Sequence, residues 1–459
     1  SVDGKIEQTL IKYRHKIDDK NKILFSYDKL KDKGDYSPRP DFGIDYNQAR
    51  TGDYTYPTEY TRDTITIKHE LRADKTTIDT TLYSNVNELE RYEYLGGTGV
   101  RPGATEGNLN GEVKTTGLNV KAQTNLITNK ILNTLTYGIK YDKQTSAVTW
   151  NDAKYGEDEK AISKAIYIED SIDFDNGLVV TPGIRYNVYD LDGANGDIHD
   201  NKMTYSLSGE YTITPAFTLL ANATTLFKGV EMVDVLATSR TKGSDTASDG
   251  VKSETGINKE IGFRYIENGV LGADSLGLSV KYFKTTINDY ITNEWASDYS
   301  YNYLQNSGDL DIKGFELSFA YNKGDFESLL TYSRSETKFE DTGLANETDP
   351  GDSISLNLNY NILSNLSVST ESLFVRAEND LVGDEYNDKE AYNVHDIALN
   401  WKPSSVKGLT VIAGVDNIFD KEYVSHISES RTFTISGTEY TTADYEPGRN
   451  VKVTLAYKF

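Results

Sequence analysis

The 459-residue chain has no cysteine, two methionines and only five histidines. Without a thiol there can be no disulfide framework, no cysteine nucleophile and no Cys-ligated metal, and so few histidines argue against a His-rich zinc centre. Long apolar runs are missing too. Nothing approaches the roughly 20 residues that a spanning helix requires, and the mean hydropathy is −0.56. Basic excess is also lacking, with 48 Lys+Arg against 71 Asp+Glu for a net charge of −23. Nucleic-acid phosphates need a basic face, so a DNA- or RNA-binding function is excluded. Ser1-Val2-Asp3-Gly4 is not a basic segment leading into an apolar one, so no secretion signal is read there; the expectation is a mature form or an absent N-terminal part.

What the chain does have is tyrosine, 33 copies of it, with 36 glycines. A ring with a wet hydroxyl suits strands and membrane–water interfaces. Polarity alternates with period two nearly throughout, and no long stretch has a helical period. Val451, Val453, Leu455, Tyr457 and Phe459 alternate with Lys452, Thr454, Ala456 and Lys458; Met203, Tyr205, Leu207 and Tyr211 oppose Thr204, Ser206, Ser208 and Glu210. This predicts about nineteen strands.

Short links, such as Ala73–Asp74, Thr128–Lys130 and Lys323–Gly324, alternate with long ones at 31–60, 87–112, 148–162, 229–256, 291–310, 336–351, 378–391 and 419–448. An antiparallel meander with tight turns at one end and long loops at the other is the pattern of a transmembrane barrel. Strands running toward the short-turn end finish in Tyr13, Tyr211, Tyr265, Tyr321, Tyr360, Trp401 and Tyr457–Phe459, which predicts an aromatic girdle. A soluble sandwich, solenoid or surface adhesin fits worse, because no fixed repeat of 20–50 residues occurs and faces of Thr, Ser, Asn, Glu and Lys cannot form a second packed layer.

Several motifs carry a resemblance. Val415-Asp416-Asn417-Ile418-Phe419-Asp420-Lys421-Glu422-Tyr423, followed by Pro447-Gly448-Arg449-Asn450-Val451 and a strand ending in Phe459, resembles the C-terminal signature of TonB-dependent outer-membrane receptors. Leu178 to Tyr186, Glu254 to Tyr265 and Gly314-Phe315-Glu316-Leu317 are similar to the same family's barrel. The resemblance implies a barrel of twenty-two strands around an N-terminal plug that contacts TonB. Counted back from 459, the first strand here would be the fourth. An odd number cannot close antiparallel, so residues 1–459 are expected to be a barrel domain whose plug and first strands lie elsewhere.

The same resemblance places ligand binding on the extracellular loops and plug apex. Trp295, Tyr299, Tyr301 and Tyr303 put four aromatics into nine residues, able to stack on a planar or apolar ligand or to join a girdle. Arg240 and Arg431 are the loop cations expected to meet an anionic group, and Arg376 is a third candidate for an inner basic patch. Similar haem receptors carry Arg-Ala-Pro, a histidine and Asn-Pro-Asn-Leu near 229–256. Here the corresponding residues are Lys228-Gly229-Val230 and Asp249-Gly250-Val251-Lys252, with no histidine, so haem ligation would have to come from elsewhere.

His199 and His426 are lone histidines, expected to be solvated rather than ligating. Asp192, Asn195, Asp197 and Asp200 match no calcium-loop spacing, and no metal site or cofactor is assigned. The carboxylates of 336–351 and 378–391 disfavour strongly anionic ligands, or hold divalent ions shared with lipopolysaccharide. Glu210, Glu260, Arg264, Glu316 and Arg334 are predicted to face inward, to pair with a plug or to set a pore's selectivity.

No nucleophile–base pair or phosphate loop occurs, so an enzyme is not expected. The resemblance implies a receptor in a Gram-negative outer membrane that imports a ferric siderophore or similar iron complex, with TonB as partner through the plug region. A passive porin, or a receptor for haem, cobalamin or an oligosaccharide, is the alternative.

Overall fold

The structure is a computed structural model. It describes residues 4–36, 56–93, 107–154, 158–193, 196–230, 250–295, 302–345, 349–379, 388–428, 430–435, 438–443 and 445–458. The first strands are β1 (Gly4–Lys16), β2 (Asn21–Tyr36), β3 (Tyr56–Ala73), β4 (Thr76–Glu93), β5 (Gly107–Thr128), β6 (Ile131–Trp150), the two-residue β7 (Ala153–Lys154) and β8 (Glu159–Asp173). The chain continues through β9 (Leu178–Gly193), β10 (Gly196–Thr214), β11 (Phe217–Lys228), β12 (Glu254–Glu267), β13 (Ser275–Asn288), β14 (Ile291–Trp295), β15 (Asn302–Asn306) and β16 (Leu310–Lys323). It ends with β17 (Phe326–Phe339), β18 (Ser353–Leu363), β19 (Leu366–Val375), β20 (Tyr392–Trp401), β21 (Leu409–Asp416), β22 (Ser430–Ile435), β23 (Thr438–Ala443) and β24 (Asn450–Tyr457).

Twenty strands form one antiparallel sheet, while β14–β15 and β22–β23 are separate hairpins in two of the long links. Setting aside β7, the wall has the nineteen strands that alternation predicts, each paired with the next. Tight turns hold one end: Asp74, Asn129, Lys130 and Asp175 adopt positive φ, which Asn and Asp tolerate best among side-chain-bearing residues. The wall's ends are β1 and β24, and no pairing joins them among the described residues. Both strands are exposed along their whole length.

Residues opposite one another across a ladder share a face. Following the pairs Ile139–Ile166, Ile166–Tyr186 and Tyr186–Met203 around the wall gives one continuous apolar outward face. Its side chains are unusually open for their size, with Ile166 59%, Ile261 63% and Leu455 70% exposed. A soluble protein does not display an apolar surface of this extent; lipid tails are its natural neighbour. Tyr13, Tyr211, Tyr360, Trp401 and Tyr457 stand on this face near the short turns, as the girdle requires. Phe459 lies outside the described residues.

Two expectations about the wall need correction. The strands reach well beyond the alternating segments: β5 has 22 residues, about 70 Å at 3.3 Å per residue, where a tilted membrane span needs only about 9–11 residues. Backbone ladders continue into 87–93 and 107–112, where Leu89 and Leu109 face inward with Val113 and the outward side carries Glu88, Glu90, Asn108, Asn110 and Glu112, the reverse of the membrane-spanning pattern. Arg334 faces outward, not inward, because it opposes the lipid-side Phe315 while its neighbour Ser333 opposes the inward Glu316. The doublet Leu329-Leu330 breaks alternation in β17, so sequence parity there is ambiguous.

Candidate functional site

The inward face is polar, and its charges are matched within the wall. On β10 to β17, Arg264 lies 3.1 Å from Glu210, while Lys281 stands between Glu316 at 3.0 Å and Glu260 at 3.9 Å. Asn222, Glu260, Lys281 and Glu316 line an inward cavity of about 770 Å³. On the opposite arc, the Tyr83 hydroxyl donates to Asp142, which also meets Lys140 at 2.7 Å. The tyrosine reaches across because Gly117 stands between them; a Cβ there would sit 2.2 Å from the ring. Arg185 lies 5.6 Å over the Tyr167 ring, and its Nε donates to Asn187 Oδ1 at 2.6 Å. The result is a water-compatible wall of fixed donors and acceptors.

At the long-link end the inward face changes character. Val113, Ala161, Tyr189, Leu191 and Ile198 form an apolar seat on β5 to β10, and Val230, Val251 and Leu304 pack into it from two long links. Leu304 is 2% exposed and Val230 3%. Burying an aliphatic side chain of this size contributes about 2 kcal/mol, so the three together hold the links firmly.

Polar groups fix the geometry of this seat. The Tyr189 hydroxyl donates to the Val230 carbonyl at 2.5 Å, and its ring covers Gly229, where a Cβ would come within 2.6 Å. Ser253 donates through both N–H and Oγ to Asp200 Oδ2, at 2.9 and 2.5 Å. Asn306 binds Lys252 in both directions and donates to the Asp289 carbonyl at 2.6 Å; Ile291 N–H donates to Glu254. Beneath Val230 lies a small cavity of about 220 Å³, reached by Lys140, Asp142, Gln144, Arg185 and Asn187.

Trp295 and Tyr303 fall on the β14–β15 hairpin, whose base is this seat; Trp295 pairs with Asn302, and Tyr303 with Glu294. Arg431 pairs with Thr442 on the separate β22–β23 hairpin. Tyr299, Tyr301 and Arg240 lie outside the described residues. Of the remaining candidates, Arg376 joins Arg334 on Asp352, at 3.7 and 3.6 Å, rather than an inner patch. Asp192 pairs with Lys160, and Asp200 is taken by Ser253; no His, Cys, Asp and Glu group suited to a metal ion occurs among the described residues. Sequence reasoning missed Tyr189, Val230 and Leu304. The sequence carried little signal for them, because Val230 is followed by Met232, Val233, Val235 and Leu236, and Leu304 follows Tyr301 and Tyr303.

A second cluster ties the long links together around His426, which is 2% exposed. The expectation of a solvated histidine is wrong because Tyr392 and Tyr423 close over its loop, with Tyr392 in edge contact at 5.5 Å. Nε2 faces the Glu390 carbonyl at 3.0 Å, and Lys389 donates to the His426 carbonyl. Burial lowers the imidazole pKa. Burial also raises the carboxyls of Asp349 and Glu378, the latter further through Asp349 and Asp352. These groups lie beyond the spanning strands. His199, by contrast, is exposed, 3.2 Å from Asp190.

The C-terminal signature is a clasp. Asn417, at φ 48°, accepts Lys421 N–H and donates to the Lys421 and Pro447 carbonyls, and Asp420 accepts Arg449 N–H at 2.7 Å.

Residues 12–418 match the family described as TonB dependent receptor-like, beta-barrel. The chain belongs to this family. It is 23% identical to the heme transporter BhuA of Brucella abortus over 96% of this chain and 64% of that one. It is 24% identical to the ferric enterobactin receptor of Pseudomonas aeruginosa over 64% of this chain and 42% of that one. The FrpB iron transporter of Neisseria meningitidis superposes with a TM-score of 0.81 at 20% identity, covering 99% of this chain and 72% of the other. The chain thus spans less than two thirds of the first curated relatives' length. Those relatives are transporters and receptors, not enzymes.

Proposed function

We propose that this chain is the barrel portion of a Gram-negative outer-membrane receptor that imports a ferric siderophore or similar iron complex, driven through TonB. The observation that carries this reading is the seat. Long links bearing Val230, Val251 and Leu304 fold onto the inward face of β5 to β10 at the long-link end, which supports a mouth lined by folded chain rather than an open one. A passive pore needs that mouth open; a receptor needs a structured mouth that holds cargo and then moves. Relatives named for haem, ferric enterobactin and iron support an iron complex as cargo.

The hairpin carrying Trp295 and Tyr303 is anchored at the seat through Leu304, which supports the aromatic residues Trp295, Tyr299, Tyr301 and Tyr303 as contacts for the complex, with Arg240 and Arg431 proposed as cationic ones. The unpaired edges of β1 and β24, with the partial coverage of relatives, support a longer receptor that supplies further strands and a plug.

The test uses the full-length receptor in iron-starved cells lacking their own receptors, offered radiolabelled iron in a panel of siderophores and haem, with and without functional TonB. Uptake of one complex only when TonB functions is the expected result. Uptake independent of TonB and of the complex offered would indicate a pore instead.

A further inference from the structure

The inward face of the wall differs from one arc to the other. The row that holds Arg185 and Tyr167 runs on across the ladders through Lys121, Asp79, Glu70 and Lys22, so β1 to β9 present long, mostly charged side chains to the interior. Lys68 meets Asp79 at 3.0 Å, and Lys22 meets Glu70 at 3.3 Å. Arg14 and Lys121 on the same face have no carboxylate partner among the described residues.

On β13 to β18 the inward groups are short and uncharged. Ser279 opposes Ser318, which opposes Thr331, which opposes Ser355. From the Lys281–Glu316 pair toward the short turns, β13 turns Ser279, Gly277 and Ser275 inward, and β16 turns Ser318, Ala320 and Asn322. Nothing on this strip is larger than asparagine. Glu327 stands at its edge and accepts from Asn359 at 3.4 Å, while Glu371 and Asp396, opposed on β19 and β20, lie beyond it. The inward cavity of about 770 Å³ is lined by Ser279, Ser318, Thr331 and Ser333 as well as by the charged pairs, so it opens onto the upper end of the strip. A recess of that volume is large enough for a ligand the size of a metal chelate. Unpaired cations attract and hold, whereas a conducting path needs sites weak enough for its cargo to leave, which short hydroxyls and amides provide.

We propose that the cargo crosses the barrel along the inward strip of β13 and β16, from the 770 Å³ recess to the short-turn end, leaving the cationic arc of β1 to β5 to hold the plug region. The proposal rests on the receptor reading above and assigns its cargo a route. The strip's hydroxyls and amides suit a complex that presents oxygen and nitrogen atoms at its surface.

The test uses the full-length receptor in iron-starved cells lacking their own receptors, with the ferric complex that the wild type imports as probe. Ser279→Trp with Ser318→Trp fills the recess. Thr81→Trp places similar bulk on the charged arc, in the row between Lys68 and Lys140. Heat-modifiable gel mobility checks the barrel, and binding of labelled complex to cells without TonB reports on the mouth. The recess pair should slow TonB-dependent import about tenfold with affinity at the mouth unchanged, and Thr81→Trp should leave import within about twofold. Ser318→Leu, a milder filling, should slow import a few-fold, and it decides the outcome if the double variant does not assemble. Import at the wild-type rate in the recess variants, or equal slowing by Thr81→Trp, overturns the proposal. So does leakage of a large hydrophilic antibiotic into cells carrying the recess variants, which would show that the plug fills the recess. Wild-type uptake that does not depend on TonB would instead overturn the receptor reading beneath it.

Discussion

Tyr189 holds two features at once: its hydroxyl pins the Val230 carbonyl, and its ring needs a bare Gly229. Tyr189→Phe removes only the hydrogen bond, worth about 1 kcal/mol. It should speed hydrogen exchange at 227–230 several-fold in the folded receptor, and unchanged exchange would mean that the apolar seat alone fixes the link. His426 supplies a pH response of definite sign. Its pKa is lowered in the fold, so its contribution is present above the ordinary histidine value of about 6.5 and is lost as pH falls through that value. The raised carboxyls of Asp349 and Glu378 act oppositely, gaining stability as they protonate in more acid solution. Protection of 349–352 and 423–428, corrected for intrinsic exchange rates, should therefore drop between pH 7.5 and 6, and His426→Gln should abolish that step. An equal drop in the variant would assign it to another group. None of this is legible from sequence, because a histidine amid Ser and Glu carries no mark of the two tyrosines that cover it.

At the scale of the element, period-two alternation located all nineteen wall strands because one face must meet lipid and the other water. It failed where that contrast reverses, at the tops of β4 and β5, whose inward face carries Leu89 and Leu109, and at Leu329-Leu330, beyond which Arg334 faces outward. The outward assignment of β24 is directly testable. Leu455 is 70% exposed on the face shared with Val411, and a charge on a lipid face costs about 2–4 kcal/mol near midplane. Leu455→Arg should sharply reduce heat-modifiable barrel in the outer membrane, whereas Thr454→Arg, on the other face, should be tolerated. Normal assembly of Leu455→Arg would reverse the two faces. The signature around Asn417 acts at this scale too: it was recognisable as a motif, but its role as a clasp between β21 and β24 depends on hydrogen bonds that only the fold brings together.

For the molecule as a whole, the sequence disclosed a lipid-facing wall, its orientation and its family, since these follow from periodicity, link lengths and short motifs. The apolar seat that the long links fill was hidden, because it joins residues from β5 through β15 that no local pattern connects. Its function depends on whether it opens. Residues 1–459 contain no cysteine, so an engineered pair within them meets no competing thiol in this part of the receptor. The most direct measurement is TonB-dependent uptake of radiolabelled ferric complex by the full-length receptor carrying Asp200→Cys and Ser253→Cys, whose native side chains touch at 2.5 Å, with the pair oxidised and then reduced. Import blocked when oxidised and restored by reductant is the predicted result; equal import in both states, or none that depends on TonB, would contradict a mouth that must move to admit cargo.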